Sequence, residues 1–317
     1  MAEGMRGAAS LAAALLALAV LGPPDAAAPA SPGWPTHKDG DFTVIETPHY
    51  LLRTEHSAEF GQKIASQQEA LYSELYRRMK DIKPVMGETR LDLVIYRTQE
   101  AYMRALGGSV TGSQGVFMPG KRLLAAWGAE DQLDRILDVL RHEGTHQFIE
   151  RFIGPSCPIW LNEGMAVFYE NGRMVDGKLE IGGVPAGELR VIKKALADGR
   201  AMPIDRMLNL TNREWVLNVN TGNADGHLQY CQAWSMVHFL AYGDKSKYRA
   251  AFQQYMYYVS RGQASWDAWT QAFGGDTAAF EKRWREYVLQ LKPEGGTKGA
   301  DGAAPPAEAA PKAPAGG

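Results

Sequence analysis

The chain has 317 residues, of which 45% are hydrophobic and 22% charged, an ordinary composition for a folded domain with a sizeable core. The formal net charge of -2 gives no polyelectrolyte signature, and no run of basic residues interleaved with aromatic residues occurs. Nucleic acids and anionic membrane surfaces are therefore excluded as expected partners.

The N-terminus has the features of a secretory signal peptide. Arg6 supplies positive charge, an apolar stretch rich in Ala and Leu covers residues 8–21, and small residues at 26–28 offer a cleavage site. Because the apolar stretch is short for a transmembrane helix, we favour a cleaved signal peptide over an uncleaved anchor. We expect residues 1–28 to be removed, which leaves an exported protein (periplasmic or secreted) with no stable membrane insertion.

Composition divides the rest of the chain into three parts. Residues 29–40 are rich in Pro, Ser and Gly and are predicted to form a linker. Residues 292–317 are mostly Ala, Pro and Gly, so they cannot bury enough apolar area to fold and are predicted to be a disordered tail. The folded domain is then residues 41–291, with lobes of about 41–152 and 153–291.

The first lobe is predicted to mix strands and helices. The run Leu91–Tyr96 is mostly apolar, so we expect it to be a central strand. Pro119-Gly120 separates two short runs and predicts a hairpin. The full set is strands at 42–46, 50–53 and 91–96, helices at 58–79 and 100–106, and hairpin strands at 115–118 and 122–126.

The second lobe is predicted to be mainly helical. One exception is the pair Asp176-Gly177, which predicts a small hairpin over residues 173–181. The predicted fold class is α+β, a mixed-sheet lobe followed by a mainly helical lobe. From the end of the first lobe onward, helices are predicted near residues 131–152, 159–170, 187–198, 228–242, 246–260, 264–272 and 277–291.

The segment His142-Glu143-Gly144-Thr145-His146 lies within the predicted helix 131–152. Its histidines are one turn apart, on the side away from a stripe of Leu and Ile residues, so both imidazoles can bind one zinc ion. Glu143 lies between the histidines and that stripe, where it can take a proton from a water molecule at the metal. Two solvent-facing histidines on an amphipathic helix are the alternative interpretation.

Glu163 is the candidate third ligand. Sixteen residues separate it from His146, and an antiparallel return of the chain after Pro158 brings Glu163 back to the level of the histidines. Two histidines and one glutamate with an open position form a catalytic zinc pattern, whereas structural zinc sites are closed by protein ligands. A glutamate that only interacts with the helix dipole is the alternative.

The motifs His-Glu-x-x-His at 142–146 and Asn-Glu-x-x-Ala at 162–166 resemble those of the gluzincin zinc metallopeptidases. The resemblance is closer to the bacterial peptidase-MA-like domains and has motif content over about residues 90–245. It implies a zincin-like fold and a peptide or protein substrate. It also implies a Zn2+ ion bound by His142, His146 and Glu163, with Glu143 as the general base.

A further similarity concerns the cleft beyond the metal. Residues 230–240 are similar to the helix on which gluzincin aminopeptidases carry a tyrosine that stabilises the tetrahedral intermediate, which implies Tyr230 as an oxyanion donor. An ordinary buried tyrosine is the alternative. The strand 115–118 is predicted to be the cleft edge that pairs with an extended substrate.

The expected activity is that of an exported zinc metallopeptidase. The Gly-x-Met-Glu-Asn segment, which holds the free amine of a substrate in gluzincin aminopeptidases, is absent from the sequence, so an endopeptidase is favoured over an exopeptidase. A zinc hydrolase with a non-peptide substrate and a non-catalytic binding protein with the same fold are the alternative functions.

The sequence contains two cysteines, Cys157 and Cys231. In an exported protein an isolated pair predicts a disulfide, which here ties the turn between the two ligand helices to the helix of Tyr230. Two buried thiols are the alternative, since spacing alone does not show that the Cα atoms come within bonding range. His227 and His238 are assigned core or surface roles.

Overall fold

The computed structural model describes residues 33–293, apart from residues 86, 88, 108, 109, 111 and 221–223. The predicted signal peptide lies outside the described residues. So do the first part of the predicted linker and the predicted tail beyond Pro293.

A single mixed sheet dominates the first half of the described chain. Its six strands are β1 Thr36–Asp39, β2 Phe42–Glu46, β3 Tyr50–Thr54, β4 Leu91–Tyr96, β5 Gly115–Met118 and β6 Leu123–Trp127. The strand order is β1-β2-β3-β4-β6-β5. β4 pairs in parallel with β3 and β6, and the other neighbouring strands pair antiparallel.

The strands follow the sequence pattern with one exception. β4 lies inside the sheet and is buried at every position but Asp92, so the predicted central strand is confirmed. β5 and β6 form the predicted hairpin. β1 falls within the segment predicted as a linker. Its four side chains are all exposed, so hydropathy carries no strand signal there, and the strand is defined by backbone pairing with β2.

Three helices cover the two faces of the sheet: α1 Ala58–Arg78, α2 Gln99–Leu106 and α3 Leu133–Phe152. Because side chains alternate along a strand, Leu93 and Ile95 of β4 join the core formed with α1 and α3. Val94 and Tyr96 belong to a second, smaller core formed with α2. The sheet face covered by α1 and α3 is therefore part of the larger core.

The second half of the described chain is mainly helical, as predicted. A small hairpin follows the first of its helices and confirms the prediction made from Asp176-Gly177. The elements are α4 Ile159–Glu170, β7 Arg173–Val175, β8 Lys178–Glu180, α5 Ala186–Ala197, α6 Ile204–Leu208, α7 Asn212–Asn220, α8 Ala224–Ser246, α9 Arg249–Ser260, α10 Ser265–Phe273 and α11 Thr277–Gln290.

Two short helices, α6 and α7, were not predicted. α6 is five residues long and begins after Pro203, too short for its spacing to be recognised. α7 begins after a reciprocal cap: Thr211 Oγ1 accepts a hydrogen bond from the Glu214 N–H, and Glu214 Oε2 accepts one from the Thr211 N–H. The Thr-x-x-Glu pattern of this cap was the available sequence signal.

Together these elements give a mixed α+β structure, and the predicted fold class is confirmed at that level. Residues 33–293 fall within one compact unit. Among the helices of the described chain, none has the length and apolar character needed to cross a membrane.

In the second half, α4 packs closely against α8 at Gly164. A Cβ atom on Gly164 would lie 2.7 Å from the Ala233 carbonyl oxygen, well inside van der Waals contact. The missing side chain therefore permits the approach of the two helices. Because Gly164 follows Glu163 directly, this contact also sets the position of a candidate ligand.

We expect the substitution Gly164→Ala to lower the free energy of unfolding by about 1–3 kcal/mol, since the added methyl group must displace backbone atoms of α8. The matched control is Gly187→Ala in α5, where an added Cβ meets nothing within 4 Å. That control should be neutral or stabilising by up to about 1 kcal/mol. Urea denaturation of both variants measures the difference, and equal stabilities would contradict the proposed contact.

Candidate metal centre

The histidines of the motif lie on α3, which is buried on nearly all sides. His146 is 4% exposed and the His142 side chain 13% exposed. The alternative of two solvent-facing histidines is therefore wrong. The helix is anchored to the sheet by Gln147, whose Nε2 donates a hydrogen bond to the Asp92 carbonyl oxygen.

α4 returns antiparallel to α3 and brings Glu163 to the two histidines. Gly154, with a φ of 79°, ends the first helix, and Pro158 precedes the second. Glu163 Oε2 lies 3.7 Å from Nε2 of His142 and 3.6 Å from Nε2 of His146. The structure thus brings together the three predicted ligands, and one carboxylate oxygen lies at nearly equal distances from the two ring nitrogens.

The geometry of the three residues fits a metal ion. Ligand atoms of a tetrahedral zinc site, at about 2.0–2.2 Å from the metal, are separated from one another by about 3.3–3.6 Å. One ligand atom from each of His142, His146 and Glu163 lies within 4.8 Å of the others, so the group is positioned to hold an ion. His146 Nε2 is buried and makes no hydrogen bond within the described part of the chain. Its lone pair is available to a metal.

The other ring nitrogen of each histidine makes a hydrogen bond that orients the ring. His142 Nδ1 lies 3.0 Å from Glu170 Oε2, and His146 Nδ1 lies 3.0 Å from Asn162 Oδ1. Both oxygens accept, so Nδ1 carries the proton and Nε2 is left as the ring atom that can bind a metal ion beside Glu163. Such outer contacts fix the tautomer and orientation of metal-bound histidines.

Sequence analysis missed the roles of Asn162 and Glu170. Glu170 lies seven residues after Glu163, two helical turns along the same face of α4, and this spacing was a usable signal. Asn162 was part of the recognised motif without an assigned contact. Neither contact follows from the motif alone, since each depends on how α4 packs against α3.

Arg141 holds the C-terminal end of α4 in place. Its Nε donates a hydrogen bond to the Glu170 carbonyl oxygen, and its guanidinium forms an ion pair with Asp138.

Burial by itself would lower the pKa of His142, but the neighbouring Glu163 and Glu170 carboxylates raise that pKa well above its ordinary value. The site is therefore strongly favourable to positive charge.

Glu143 is buried beside the three candidate ligands and is held by the edge strand of the sheet. Its Oε2 accepts a hydrogen bond of 2.8 Å from the backbone N–H of Phe117 in β5. Glu143 is 5% exposed. Sequence analysis predicted strand 115–118 as the cleft edge but did not predict this contact. Every residue except proline has a backbone N–H, so the residue type does not indicate which one is the donor.

Tyr230 lies in α8, one turn before Ala233, the residue that packs on Gly164. Its ring is buried and packs edge-on against Trp215, with ring centroids 5.0 Å apart. The helix that carries Tyr230 therefore contacts the helix that carries Glu163. The role of Tyr230 as an oxyanion donor stays a prediction.

The two cysteines are free thiols in the structure, so the predicted disulfide between them is wrong. Cys231 Sγ lies 3.5 Å from Nε2 of His227, one turn earlier in α8, and Cys157 Sγ lies 3.8 Å from the Pro158 carbonyl oxygen. Both contacts are with residues close in sequence. Two elements that pack together can form a disulfide only if both cysteine side chains point toward each other. Burial raises the pKa of both thiols.

His238 has a core role, within the range expected for it. Its Nε2 donates to the Gly182 carbonyl oxygen at 3.1 Å, and its Nδ1 accepts a hydrogen bond of 2.8 Å from the Tyr287 hydroxyl. Burial is the main cause that lowers its pKa, so it is a neutral imidazole in the interior.

We expect Asn162→Leu to weaken zinc binding by about 10- to 100-fold, because His146 would lose the acceptor that orients its ring. The matched control is Asn171→Ala at the end of α4, where the side-chain Nδ2 donates to the Val167 carbonyl oxygen, away from the histidines. Competition with a chromophoric chelator measures both affinities. Unchanged affinity in Asn162→Leu would show that the contact does not support the site.

Comparison with known proteins finds a family model that matches part of the chain. No curated protein and no solved structure matches the chain significantly. Residues 136–261, less than half of the sequence, match the family described as "Protein of unknown function (DUF1570)". This region includes the three candidate ligands, Glu143 and Tyr230.

Proposed function

We propose that this protein is an exported zinc-dependent peptidase that hydrolyses internal bonds of peptide or protein substrates. The observation that carries the proposal is the convergence of two imidazole nitrogens on Glu163, with Glu143 buried next to them. The two motifs on α3 and α4 support it through their resemblance to gluzincin peptidases and peptidase-MA-like domains. A zincin-like arrangement of sheet and helices is part of the same proposal.

The donor set favours zinc. Two imidazole nitrogens and one carboxylate oxygen leave a fourth tetrahedral position open, as in catalytic zinc sites. A site with two nitrogen donors is less suited to Mg2+ or Ca2+, which prefer oxygen ligands. Bound zinc supplies a Lewis acid that lowers the pKa of water toward about 7 and polarises the scissile carbonyl.

Glu143 acts as the general base in this proposal. The Phe117 N–H occupies Oε2, so the carboxylate is held in one orientation and Oε1 takes the proton from the attacking water. The same carboxyl group then delivers that proton to the nitrogen of the leaving amine. Tyr230 donates a hydrogen bond to the developing oxyanion.

β5 is the proposed docking edge for the substrate backbone. Among the described strands it is the last of the sheet and pairs with β6 alone, so its other side offers backbone groups to an extended chain. The Phe117 N–H on that outer side already contacts Glu143. A substrate paired with β5 therefore lies next to the general base.

Export completes the proposal and rests on the sequence alone. The positive charge of Arg6, the apolar stretch at 8–21 and the small residues at 26–28 are the features that support a cleaved signal peptide.

We expect Glu143→Gln to retain zinc but to lose turnover by about 10²- to 10⁴-fold, because the amide cannot accept the proton. The matched control is Glu150→Gln, two turns later on the same helix and outside the cluster, which should keep both zinc and activity. Metal analysis and initial rates measure the two properties. Wild-type rates in Glu143→Gln would show that another group is the base.

The substrate class is tested by incubating the purified protein with zinc and a mixed peptide library. Internal cleavage that a chelator abolishes and that zinc restores is the expected result. His146→Ala should lose the metal and the cleavage together, whereas His37→Ala, on the exposed strand β1, should keep both. Metal binding without cleavage of any peptide would favour a non-peptide substrate or a binding protein. Undiminished zinc content in His146→Ala would rule out the site.

A further inference from the structure

A cavity lies on the side of α4 that faces away from the candidate metal centre. It encloses about 120 Å³ where the end of α1 meets α4, α8 and α9. Met165 and Phe168 face it from α4, at about 200° and 140° around the helix from Glu163. Val237, Phe252 and Met256 complete an apolar wall. The cavity is thus separate from the three candidate metal ligands.

One end of this cavity is polar and positively charged. Tyr169 lines it and is 1% exposed, and its hydroxyl makes no hydrogen bond within the part of the chain that the structure describes. Arg78 also lines the cavity, with a side chain only 19% exposed. Burial raises the pKa of Tyr169 and the charge of Arg78 opposes that rise, as expected for two neighbouring groups that line one cavity. A buried hydroxyl without a partner is costly, so this end lacks an acceptor.

The charges around that end favour an anion. Arg77 and Arg78 share a single carboxylate, Glu74, through hydrogen bonds of 2.7–2.8 Å. Arg249, which is exposed, adds a third guanidinium to the lining. No carboxylate lines the cavity among the described residues. Three positive groups and one negative group leave a net positive end beside an apolar wall.

We propose that this cavity binds a small apolar monocarboxylate, with its carboxylate at Arg78 and Tyr169 and its hydrocarbon body along Met165, Phe168 and Met256. An apolar cavity of about 150 Å³ holds benzene, and this cavity of about 120 Å³ is somewhat smaller, so one ring or a chain of about four carbons is the upper limit for the hydrocarbon body. A guanidinium with a hydroxyl donor matches the two oxygens of a planar carboxylate. The proposal does not depend on the metal centre or on peptidase activity.

Benzoate and benzamide, which have the same shape but different charge, are the probes for this site. Calorimetric titration of the full chain should show saturable binding of benzoate at one site and binding of benzamide at least about tenfold weaker. Equal affinities for the two probes would refute the anion end. Absence of any benzoate binding up to about 10 mM, the weak limit for so small a ligand, would refute the site.

The location is tested by nuclear magnetic resonance of methyl-labelled methionines. Benzoate should shift the methyl signals of Met165 and Met256, which line the cavity, and leave that of Met207 in α6 unchanged. Shifts at Met207 alone would place the ligand elsewhere and overturn the proposal.

Two variants test the groups that the proposal names. Tyr169→Phe should bind benzoate about tenfold more weakly without loss of folding, because only a buried hydroxyl is removed. Tyr257→Phe, on the exposed side of α9, is the matched control and should bind as the wild type does. Ala241→Leu fills the cavity and should abolish binding. Wild-type affinity in Tyr169→Phe, or in a folded Ala241→Leu protein, would overturn the proposal.

Discussion

The packing of α4 against α3 is the contact on which the candidate site depends. It brings Glu163 within 3.7 Å of two imidazoles and places Asn162 and Glu170 behind those rings. On another side α4 packs against α8 at Gly164, where a side chain would push these two helices apart. A carboxylate with 0% exposure is costly to bury unless positive charge compensates it. A divalent cation between the three residues supplies that charge in the proposed function.

Different faces of α4 contribute residues to the candidate metal centre and to the cavity proposed to bind a carboxylate. Glu163 and Glu170 lie on the face toward α3, whereas Met165 and Phe168 line the cavity among α1, α8 and α9. Tyr169 stands at the charged end of that cavity. Nearly the whole helix is buried, so a change on one face has little freedom to relax without affecting the other.

Sequence patterns were sufficient for residues whose chemistry is tied to local spacing. His142 and His146 are one turn apart, and the return of Glu163 followed from the length of the helical hairpin. The clear strand at 91–96 and the hairpin around Asp176-Gly177 likewise depend on local pattern. These features need only the geometry of one helix, one strand or one turn.

The rest depends on tertiary packing, which spacing does not encode. The Phe117 N–H that holds Glu143 is a backbone group, so the residue type does not predict the contact. The exposed strand β1 has no hydropathy signal. Cys157 lies in the turn before α4 and Cys231 lies in α8, and each thiol makes a local contact instead of a disulfide.

X-ray absorption spectroscopy at the zinc edge tests the central claim most directly. The protein as purified, or after addition of one equivalent of zinc, should show only nitrogen and oxygen neighbours at about 2.0–2.2 Å, with the outer scattering of two imidazoles. A sulfur neighbour at about 2.3 Å, the scattering of a single imidazole or none, or a failure to bind zinc would contradict a centre formed by His142, His146 and Glu163.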